Sequence, residues 1–347
     1  MSAARLTIDL GALAANHAVL REAAAGAVVA PVVKADGYGL GAGPVAARLW
    51  QEGARDFFVA RLSEGLALRH ALGAARPARI FVLDGVAGAS TEPFREADLT
   101  PVLNSADDVA RWRGVGRPCA LHVDTGMNRL GLTVEQAKAA RDLPVALVMS
   151  HLACAAAPDS PRNAHQLDRF REARALFPDA AASLSASAGI FLGADYHFDM
   201  VRPGISLYGG GPREIPDTRF AAVARLEAPI MQVRNLKAGD AVGYGDGFVS
   251  DRPMRIGLLA AGYADGLLRR AMGRAVAWID DARIPILTVS MDLIAIDLGA
   301  APTAQPGDLV ELLGRNAGLD VLASDTGTVA HECLVRLSAR AERVYLS

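Results

Sequence analysis

The chain has 347 residues, of which 51% are hydrophobic and 21% are charged. This composition is typical of a globular protein with one large or two ordinary domains, and it excludes a mainly disordered chain. The net charge is only -2, from 36 basic and 38 acidic residues. Since no basic stripe stands out, we expect neither nucleic acid nor a membrane surface as a partner.

The sequence also lacks the usual signs of export. No apolar run approaches the roughly 18 residues that a membrane helix needs, and the first ten residues (MSAARLTIDL) contain no apolar signal core. Three cysteines lie far apart, at Cys119, Cys154 and Cys333. An odd number of cysteines without a CxxC spacing predicts neither a disulfide framework nor a zinc site. We therefore expect a cytoplasmic protein.

The first two-thirds of the chain alternate short apolar runs, each predicted to be a strand, with helix-like stretches. The apolar runs are Val28–Val33, Phe57–Ala60, Ile80–Leu83, Leu99–Leu103, Ala120–Val123, Val145–Met149, Ala182–Ser185 and Phe198–Tyr208. The helix-like stretches include Ser63–Ala71, Ser105–Arg113, Thr133–Arg141 and Asn163–Leu176, and the first three begin with a typical N-cap residue. Eight strands alternating with helices favour a (β/α)8 TIM barrel, although the periodicity also fits a doubly wound sheet.

The pattern changes to short strands and turn signals beyond about residue 220. These strands are predicted at Ile230–Val233, Asp240–Tyr244, Arg255–Ala260, Ala275–Ile279, Ile284–Val289, Leu293–Leu298 and Leu309–Leu312. Asp280 and Asp281, between two of them, are typical of a hairpin turn. The sequence thus predicts a barrel over residues 1–220 and a mostly β domain over residues 221–347.

Polar side chains follow the predicted barrel strands at the end where barrel enzymes carry their active sites. They are Lys34, His122, Asp124, Arg129, His151, Ser187 and Arg202. Lys34 closes the apolar run 27–33, where loss of solvation lowers the pKa of an amine, and a neutral amine can form a Schiff base. The alternative is a lysine that extends from the strand end into solvent.

Taken singly, the other candidates also fit structural roles. Tyr244 fits a packing residue, Arg202 a surface charge, and His151 a buried core histidine. His122, Asp124 and His151 repeat no metal-ligand spacing, so we predict no metal site. The glycines that follow Lys34 match neither GxGxxG nor a Walker pattern, which argues against a nucleotide site.

Seven segments, in order along nearly the whole chain, resemble the signatures of bacterial alanine racemases. That family consists of pyridoxal 5'-phosphate (PLP) enzymes built from a barrel and a β domain. The segments are VKADGYG (33–39), HVDTGMNRLG (122–131), SHLAC (150–154), VRPGI (201–205), VGYG (242–245), GYADG (262–266) and VSMD (289–292). Several motifs in family order are far more specific than any one of them.

The resemblance implies a two-base mechanism, because racemisation removes a proton from one face of the Cα atom and returns it to the other. Lys34 would hold PLP through a Schiff base and exchange the proton on one face. Tyr244 would exchange it on the opposite face. In this family that tyrosine comes from the partner subunit, so the resemblance implies a head-to-tail homodimer.

The resemblance also implies the contacts to cofactor and substrate. Arg202 would donate to the pyridine nitrogen, which then stays unprotonated because an arginine does not release its own proton. His151 would pack against the ring. The phosphate would be held by Tyr38, Ser187, Gly204 and Ile205. Arg129 and the backbone of Met291 would orient the substrate carboxylate, with Tyr263 near the entrance.

Several positions depart from the family pattern, including alanines 155–157, which replace a more polar, acidic segment. His122 stands where many members have a lysine that becomes carbamylated and supports the substrate arginine, so an imidazole or an anion would take over that support. Ala186 replaces an asparagine that is usual beside the phosphate serine. Ala339 replaces a tyrosine that often contacts the phosphate or gates the pocket. These changes bear on cofactor affinity and substrate selectivity.

The predicted function is interconversion of L- and D-alanine, with D-alanine supplied for peptidoglycan. A racemase of broader specificity on the same scaffold is the main alternative, since the alanine replacements favour a wider pocket. A PLP decarboxylase is disfavoured because Arg129 and Met291 would hold the carboxylate. A non-catalytic PLP-binding paralogue is expected to lack Lys34 or Tyr244, and both are present.

Overall fold

The computed structural model describes residues 4–24, 26–86, 88, 90–245 and 247–347. The chain divides into two units. One is Ala14–Leu207, and the other combines Met1–Leu13 with Tyr208–Ser347.

The elements alternate along the first unit and are mainly strands in the second. The strands are β1 (Arg5–Asp9), β2 (Val28–Val29), β3 (Asp56–Val59), β4 (Arg79–Val82), β5 (Leu99–Leu103), β6 (Cys119–His122), β7 (Val145–Met149), β8 (Ala181–Ser183), β9 (Met200–Val201), β10 (Ala224–Leu236), β11 (Ala241–Val242), β12 (Phe248–Val249), β13 (Met254–Leu259), β14 (Val276–Ile279), β15 (Ala282–Val289), β16 (Ile294–Asp297), β17 (Leu309–Leu313) and β18 (Glu342–Leu346). The helices are α1 (Leu10–Ala23), α2 (Lys34–Tyr38), α3 (Ala42–Gln51), α4 (Leu62–Leu72), α5 (Glu92–Glu96), α6 (Ala106–Trp112), α7 (Val134–Lys138), α8 (Pro161–Ala175), α9 (Leu319–Thr326) and α10 (Ala330–Val335). Short 3-10 turns lie at Gly189–Leu192, Ala194–Tyr196, Ile205–Tyr208, Tyr263–Asp265, Arg269–Ala271 and Leu298–Ala300.

The Ala14–Leu207 unit is built on parallel strands. The strands β3 to β8 form one parallel sheet in chain order, and β2 pairs in parallel with β9. Single parallel bridges join Val32 to Phe58 and Ala186 to Arg202. The rings of Phe58 and Phe81 stack with centroids 4.6 Å apart and are fully buried. Strands that are buried on both faces are typical of α/β proteins with helices outside the sheet, so the predicted parallel α/β architecture is confirmed.

Helix starts follow the capping rules at two of three predicted positions. The hydroxyl groups of Ser105 and Thr133 accept hydrogen bonds from backbone N–H groups three residues later, each at 3.1 Å. The N-cap predicted at Ser63 is wrong, because α4 already begins at Leu62. There the carboxylate of Glu64, in the first turn of α4, accepts the backbone N–H groups of Ala60 and Arg61 just before the helix.

The other unit contains a closed antiparallel β-barrel. Its strands follow the order β13-β16-β15-β14-β17-β10, and β10 pairs again with β13. The predicted hairpin is confirmed, since Ile279 pairs with Ala282 and Asp280 adopts a φ of 49° in the turn between β14 and β15. The prediction of a mostly β domain after the parallel strands is therefore also confirmed.

Two boundaries differ from the sequence prediction. β1 belongs to the β unit because it pairs antiparallel with β10 and parallel with β18. The division between the units lies at Leu207, not at residue 220. The run 198–208 holds only the two-residue strand β9 and a 3-10 turn, because Pro203 cannot donate to a sheet. Among the described residues, no helix is long and apolar enough to cross a membrane.

Candidate active site

Lys34 begins a left-handed turn at the end of a buried strand segment. Ala35, Asp36, Gly37 and Tyr38 have φ values of 52°, 54°, 63° and 56°. For a residue other than glycine, this conformation costs roughly 1–2 kcal/mol. The turn is held by a hydrogen bond from Gly37 N–H to the Val33 carbonyl at 2.9 Å. Strained backbone that the surroundings hold in place is a common mark of a functional site.

Two carboxylates fix this turn, one from α4 and one from the turn itself. Glu64 accepts the N–H group of Ala35 at 2.8 Å, and Asp36 accepts that of Ala42 at 2.8 Å. Glu64 also accepts the N–H groups of Ala60 and Arg61, so one side chain ties the start of α4 to the lysine turn. The position of Lys34 is thereby set by groups on two different elements.

The amine of Lys34 is half-buried and has no hydrogen-bond or ion-pair partner among the described residues. Burial and then the positive charge of Arg129 lower the pKa of Lys34, while Glu64 and Asp84 oppose the shift. A lysine without a counter-ion and with a lowered pKa offers more of its neutral, nucleophilic form. This environment favours a Lys34 that forms a Schiff base over the alternative of a strand-end lysine that extends into solvent.

A cradle of hydrogen-bond donors lies in the same unit, formed by Tyr38, Ser187, Gly204, Ile205 and Ser206. The Oγ atom of Ser187 accepts the backbone N–H groups of Gly204 at 2.9 Å and of Ser206 at 3.3 Å. The Oγ atom of Ser206 is buried and has no partner in the described part of the chain. Burial raises the pKa of Tyr38 well above its usual value, so its hydroxyl group keeps its proton. The cradle therefore consists of neutral donors.

This cradle fits the phosphate group of PLP. A Cβ atom at Gly204 would lie 2.9 Å from Cζ of Tyr38 and closer still to its hydroxyl oxygen, so the glycine makes room for the Tyr38 hydroxyl against the backbone. The unpartnered Ser206 hydroxyl is a donor of the kind that a phosphate needs, and the Ser187 hydroxyl lies beside it, held by the N–H groups of Gly204 and Ser206. Ala186, whose side chain is no donor, forms a backbone bridge with Arg202 beside the cradle.

Arg202 is buried and held rigidly by serine and carbonyl oxygens. Its Nη1 atom donates to the carbonyl and hydroxyl oxygens of Ser183 at 2.8 and 2.5 Å, and its Nη2 atom donates to the Ser150 carbonyl at 2.5 Å. Burial lowers the pKa of Arg202 to about 9, so the guanidinium remains charged at neutral pH. Arg202 was predicted as a site residue. Ser150 and Ser183, whose oxygens hold it, were not predicted, although both also lie at strand ends.

His151 and His122 are neutral at pH 7, because burial and the nearby guanidinium groups of Arg202 and Arg129 lower their pKa values. Loss of solvation, Arg202 and Arg129 lower the pKa of His151 to about 3. The same three causes lower the pKa of His122 to about 4. His122 hydrogen-bonds through Nδ1 to Oδ1 of Asn104 at 2.8 Å. Asn104 was not predicted as a site residue, because nothing in its local sequence distinguishes it from other strand-end amides.

Arg129 sits on a tight loop that returns to the strand it leaves. Asp124 accepts three successive backbone N–H groups of this loop, from residues 126 to 128, at 2.9 to 3.1 Å. The loop closes where Leu132 N–H donates to the His122 carbonyl at 2.8 Å. The Arg129 side chain is exposed and has no hydrogen-bond or ion-pair partner among the described residues.

The remaining predicted residues belong to the β unit. Tyr244 is 90% exposed, Met291 53% and Tyr263 38%. Tyr263 N–H donates to the Ser290 carbonyl at 3.0 Å, and Ala264 N–H donates to the Met291 carbonyl at 3.1 Å. The structure thus brings Tyr263 and Met291 onto neighbouring loops, while Tyr244 lies in a separate exposed turn between β11 and β12.

Arg340 links the loops of Tyr263 and Met291. It pairs with the buried carboxylate of Asp265 at 3.0 Å and with Asp292 at 2.6 Å. Asp265 also accepts the Gly262 N–H at 2.8 Å, which fixes the start of the Tyr263 turn. The neighbouring Ala339 is exposed. Arg340 was missed by the sequence reasoning, because its two partners lie 48 and 75 residues away in the chain.

The predicted residues of the parallel unit are therefore assembled at one end of its strands. They comprise Lys34, Tyr38, Arg129, His151, Ser187, Arg202, Gly204 and Ile205. In the part of the chain that the structure describes, no group of three or more His, Cys, Asp or Glu residues is placed to hold a metal ion.

Comparisons with known proteins identify the family. A model described as the N-terminal domain of alanine racemase matches residues 8–212, and a model of the C-terminal domain matches residues 223–345. A catabolic alanine racemase of Agrobacterium fabrum is 44% identical and covers 98% of this chain and 92% of its own. An alanine racemase of Methylobacterium sp. (strain 4-46) is 42% identical over 99% of this chain and 98% of its own.

Solved structures agree with this assignment. Alanine racemase from Bartonella henselae, crystallised with covalently bound pyridoxal phosphate, has a TM-score of 0.93 and 34% identity, with 99% of both chains covered. The biosynthetic alanine racemase from Pseudomonas aeruginosa has a TM-score of 0.91 and 32% identity, with both chains covered completely. These matches span both units, and so they include the lysine turn, the donor cradle and the Arg129 loop. The chain therefore belongs to the alanine racemase family.

Proposed function

We propose that this protein is a PLP-dependent alanine racemase that interconverts L- and D-alanine, with D-alanine supplied for peptidoglycan. The observation that carries the proposal is the unpaired Lys34 amine, with its lowered pKa, in the same unit as a donor cradle that fits a phosphate. Relatives at more than 40% identity that carry the name alanine racemase support the choice of substrate.

The residues of the chain divide the reaction between them. PLP, when bound, withdraws electrons from the amino acid and acidifies its Cα–H bond. Lys34 takes or returns the Cα proton on one face. Tyr244 of the partner subunit does so on the opposite face, which gives the inversion. Two bases of suitable pKa are needed because a single base would return the proton to the face it came from.

Other residues bind and orient the cofactor and the substrate. When PLP is bound, the charged guanidinium of Arg202 would donate to its ring nitrogen, which would stay unprotonated and make the ring a weaker electron sink, so that side reactions would be limited. His151 is neutral and packs against the ring without adding charge. Tyr38, Ser187, Gly204 and Ile205 hold the phosphate. Arg129 and the Met291 backbone hold the substrate carboxylate, and Tyr263 lines the entrance.

The architecture follows from the same proposal. The eight strands β2 to β9 close into a (β/α)8 barrel, which the β2–β9 pairing and the bridges at Val32–Phe58 and Ala186–Arg202 support. The unit Ala14–Leu207 binds PLP, and β1 completes the β domain. The β domain, which includes Tyr208–Ser347, contributes to the active site of the partner subunit in a head-to-tail homodimer.

The dimer is supported by the exposure of Tyr244, which is 90% in the single chain. A tyrosine that acts on substrate has to be enclosed when the enzyme works, and a partner subunit supplies that enclosure. We place the enzyme in the cytoplasm, with neither nucleic acid nor membrane as a partner, in keeping with the net charge of -2.

The test is chiral chromatography of L-alanine incubated with the purified protein and PLP. D-alanine should appear until both enantiomers are equal. Lys34→Ala should abolish turnover and the visible absorbance of lysine-linked PLP. Lys138→Ala is the matched control, since Lys138 pairs with Glu135 on a helix surface, and it should retain both. Racemisation that survives Lys34→Ala, or a wild-type protein that converts serine or lysine faster than alanine, would overturn the proposal.

Lys34→Ala and Tyr244→Phe chains, each inactive, test the dimer. A mixed dimer has one site with both native residues, so mixing should restore part of the activity. No recovery after demonstrated chain exchange would mean that the site is built within one chain.

A further inference from the structure

Gln166 lies on the buried face of α8 and contacts the segment that carries His151. Its Nε2 atom donates to the His151 carbonyl at 2.9 Å, and its Oε1 atom accepts the Ala153 N–H at 2.8 Å. A carbonyl only accepts and an N–H only donates, so a single orientation of the amide satisfies both. The Gln166 side chain is 1% exposed. One buried amide therefore holds the backbone on both sides of Leu152.

Apart from Gln166, nothing among the described residues is hydrogen-bonded to the backbone of this segment. It follows β7, and residues 151–153 make no backbone–backbone hydrogen bond in the part of the chain that the structure describes. Backbone groups that lose water without gaining a partner cost free energy. The two bonds from Gln166 therefore stabilise this conformation of the segment.

The same amide is also linked to Arg202. Its Nε2 atom donates to the hydroxyl oxygen of Thr125 at 3.1 Å, and this oxygen lies 2.8 Å from the hydroxyl oxygen of Ser150. The Ser150 carbonyl accepts a hydrogen bond from Nη2 of Arg202 at 2.5 Å. Thr125 and Ser150 are both fully buried. Since a connected buried network of this kind favours a single geometry, the positions of His151 and Arg202 are linked through Gln166.

Packing alone does not require an amide at this position. Leu167, Phe170 and Ala173 of the same helix are buried and apolar. Burying an amide in place of a hydrocarbon is unfavourable unless its hydrogen bonds are made. The contribution of Gln166 therefore lies in its three hydrogen bonds.

We propose that Gln166 is a positioning residue that fixes the backbone of residues 151–153 and so holds the His151 ring against the pyridine ring of PLP. This inference rests on the proposed function. The His151 ring has no hydrogen bond of its own among the described residues, so its position depends on its backbone and on two side-chain torsions. Loss of the amide should let the ring move without removing any group that touches PLP.

Two substitutions of Gln166 and one control separate positioning from packing. Gln166→Met is unbranched and of similar length, so it keeps the packing and removes all three hydrogen bonds. Gln166→Glu in its ionised form keeps an acceptor for the Ala153 N–H and loses both donated bonds. The control Leu167→Ala removes buried packing at the next position of the helix, from a side chain without polar atoms. It should lower the melting temperature at least as much as Gln166→Met.

Amide hydrogen exchange tests the role of Gln166 in the PLP-free protein. Gln166→Met should speed exchange about fivefold to tenfold in peptides that contain Ala153, as expected for the loss of one hydrogen bond. Gln166→Glu keeps the acceptor and should exchange more slowly than Gln166→Met. Leu167→Ala should stay within about twofold of the wild type. Equal exchange rates in Gln166→Met and Leu167→Ala would overturn the proposal.

PLP binding by the holoenzyme supplies the second readout. In equilibrium dialysis both Gln166 variants should raise the dissociation constant of PLP about tenfold, and Leu167→Ala should stay within about twofold of the wild type. The visible circular dichroism per bound PLP should weaken in the Gln166 variants only, because the cofactor ring then lies beside a mobile His151. If Gln166→Met does not fold, Gln166→Glu decides by the same measurements. Wild-type affinity and circular dichroism in a folded Gln166 variant would overturn the proposal.

The outcome for Gln166 is independent of the reaction. A wild-type protein that binds PLP without racemising alanine would refute the proposed function. Hydrogen exchange and PLP binding would still decide whether Gln166 positions His151, since neither measurement requires turnover.

Discussion

Gly204→Ala places a methyl group inside the donor cradle. The new Cβ atom would lie 2.9 Å from Cζ of Tyr38 and closer still to its hydroxyl oxygen. Atoms in contact prefer about 3.5–4.0 Å, so the buried Tyr38 side chain has to move by roughly an ångström or more. The ring cannot simply rotate away, because it is 6% exposed and follows the left-handed turn of Lys34.

The expected magnitude follows from packing energetics. Adding a methyl group to a filled interior typically costs about 1–3 kcal/mol. If that cost falls on the PLP-bound state, in which Tyr38, Ser187 and Gly204 hold the phosphate, the dissociation constant of PLP rises about 5-fold to 150-fold. If it falls equally on the free protein, the melting temperature falls and PLP affinity changes little. The melting temperature and the PLP affinity together therefore show how much of the cost falls on the free protein and how much on the PLP-bound state.

The assay is equilibrium dialysis of the protein against graded PLP concentrations, with cofactor read from visible absorbance. Gly318→Ala is the control, since a Cβ atom there would meet only Val321 at an ordinary 3.8 Å. We expect weaker PLP binding for Gly204→Ala and wild-type binding for the control. Unchanged PLP affinity together with an unchanged melting temperature would refute the assignment of this cradle to the phosphate.

Three further predictions concern other parts of the chain. Tyr244→Phe should reduce uptake of solvent deuterium unequally for L- and D-alanine, because the hydroxyl serves one face of Cα; equal and small losses by mass spectrometry would make Tyr244 a packing residue. Burial of His17 lowers its pKa to about 4. Between about pH 6.5 and pH 4 the unfolded chain therefore binds more protons than the folded chain, and the free energy of unfolding falls with the pH by up to about 1.4 kcal/mol per pH unit. His17→Leu should flatten this dependence in urea titrations, and an unaltered slope would contradict the argument. Arg340→Ala should raise KM for alanine about threefold, because it releases two loops of the β unit. The control Arg336→Ala loses one exposed ion pair and should leave KM unchanged. Equal KM values for the two variants would leave Arg340 without a positioning role.

The alternation of apolar runs and helices was enough to predict the parallel strands and the side chains at their ends. Lys34, His122 and His151 lie where the strand ends of a barrel would place them, because this periodicity is a local property of the chain. Their roles came from the resemblance and not from the periodicity. Each of these residues alone fitted a structural interpretation as well.

Other features depend on contacts that a local pattern does not contain. The left-handed conformation of Ala35 contradicts the preference of alanine, and a hydrogen bond from its N–H to Glu64 helps to hold it. The predicted N-cap Ser63 lies inside α4, which begins at Leu62. Residues 5–9 were only included in the barrel predicted over residues 1–220, and β1 went unpredicted, because its pairing partners lie more than 200 residues away.

This pairing of β1 has a consequence for synthesis on the ribosome. β1 carries Leu6 and Ile8, both fully buried in the folded chain, yet it hydrogen-bonds to β10 and to β18, which ends at Leu346. At about 5–20 residues per second, some 340 residues take roughly 20 to 70 seconds to follow. The parallel unit can fold during this interval, whereas β1 keeps an unpaired edge until β10 and β18 have also left the ribosome. This edge is therefore a site at which the nascent chain can aggregate, and chaperone binding to β1 would protect it until its two partner strands have been made.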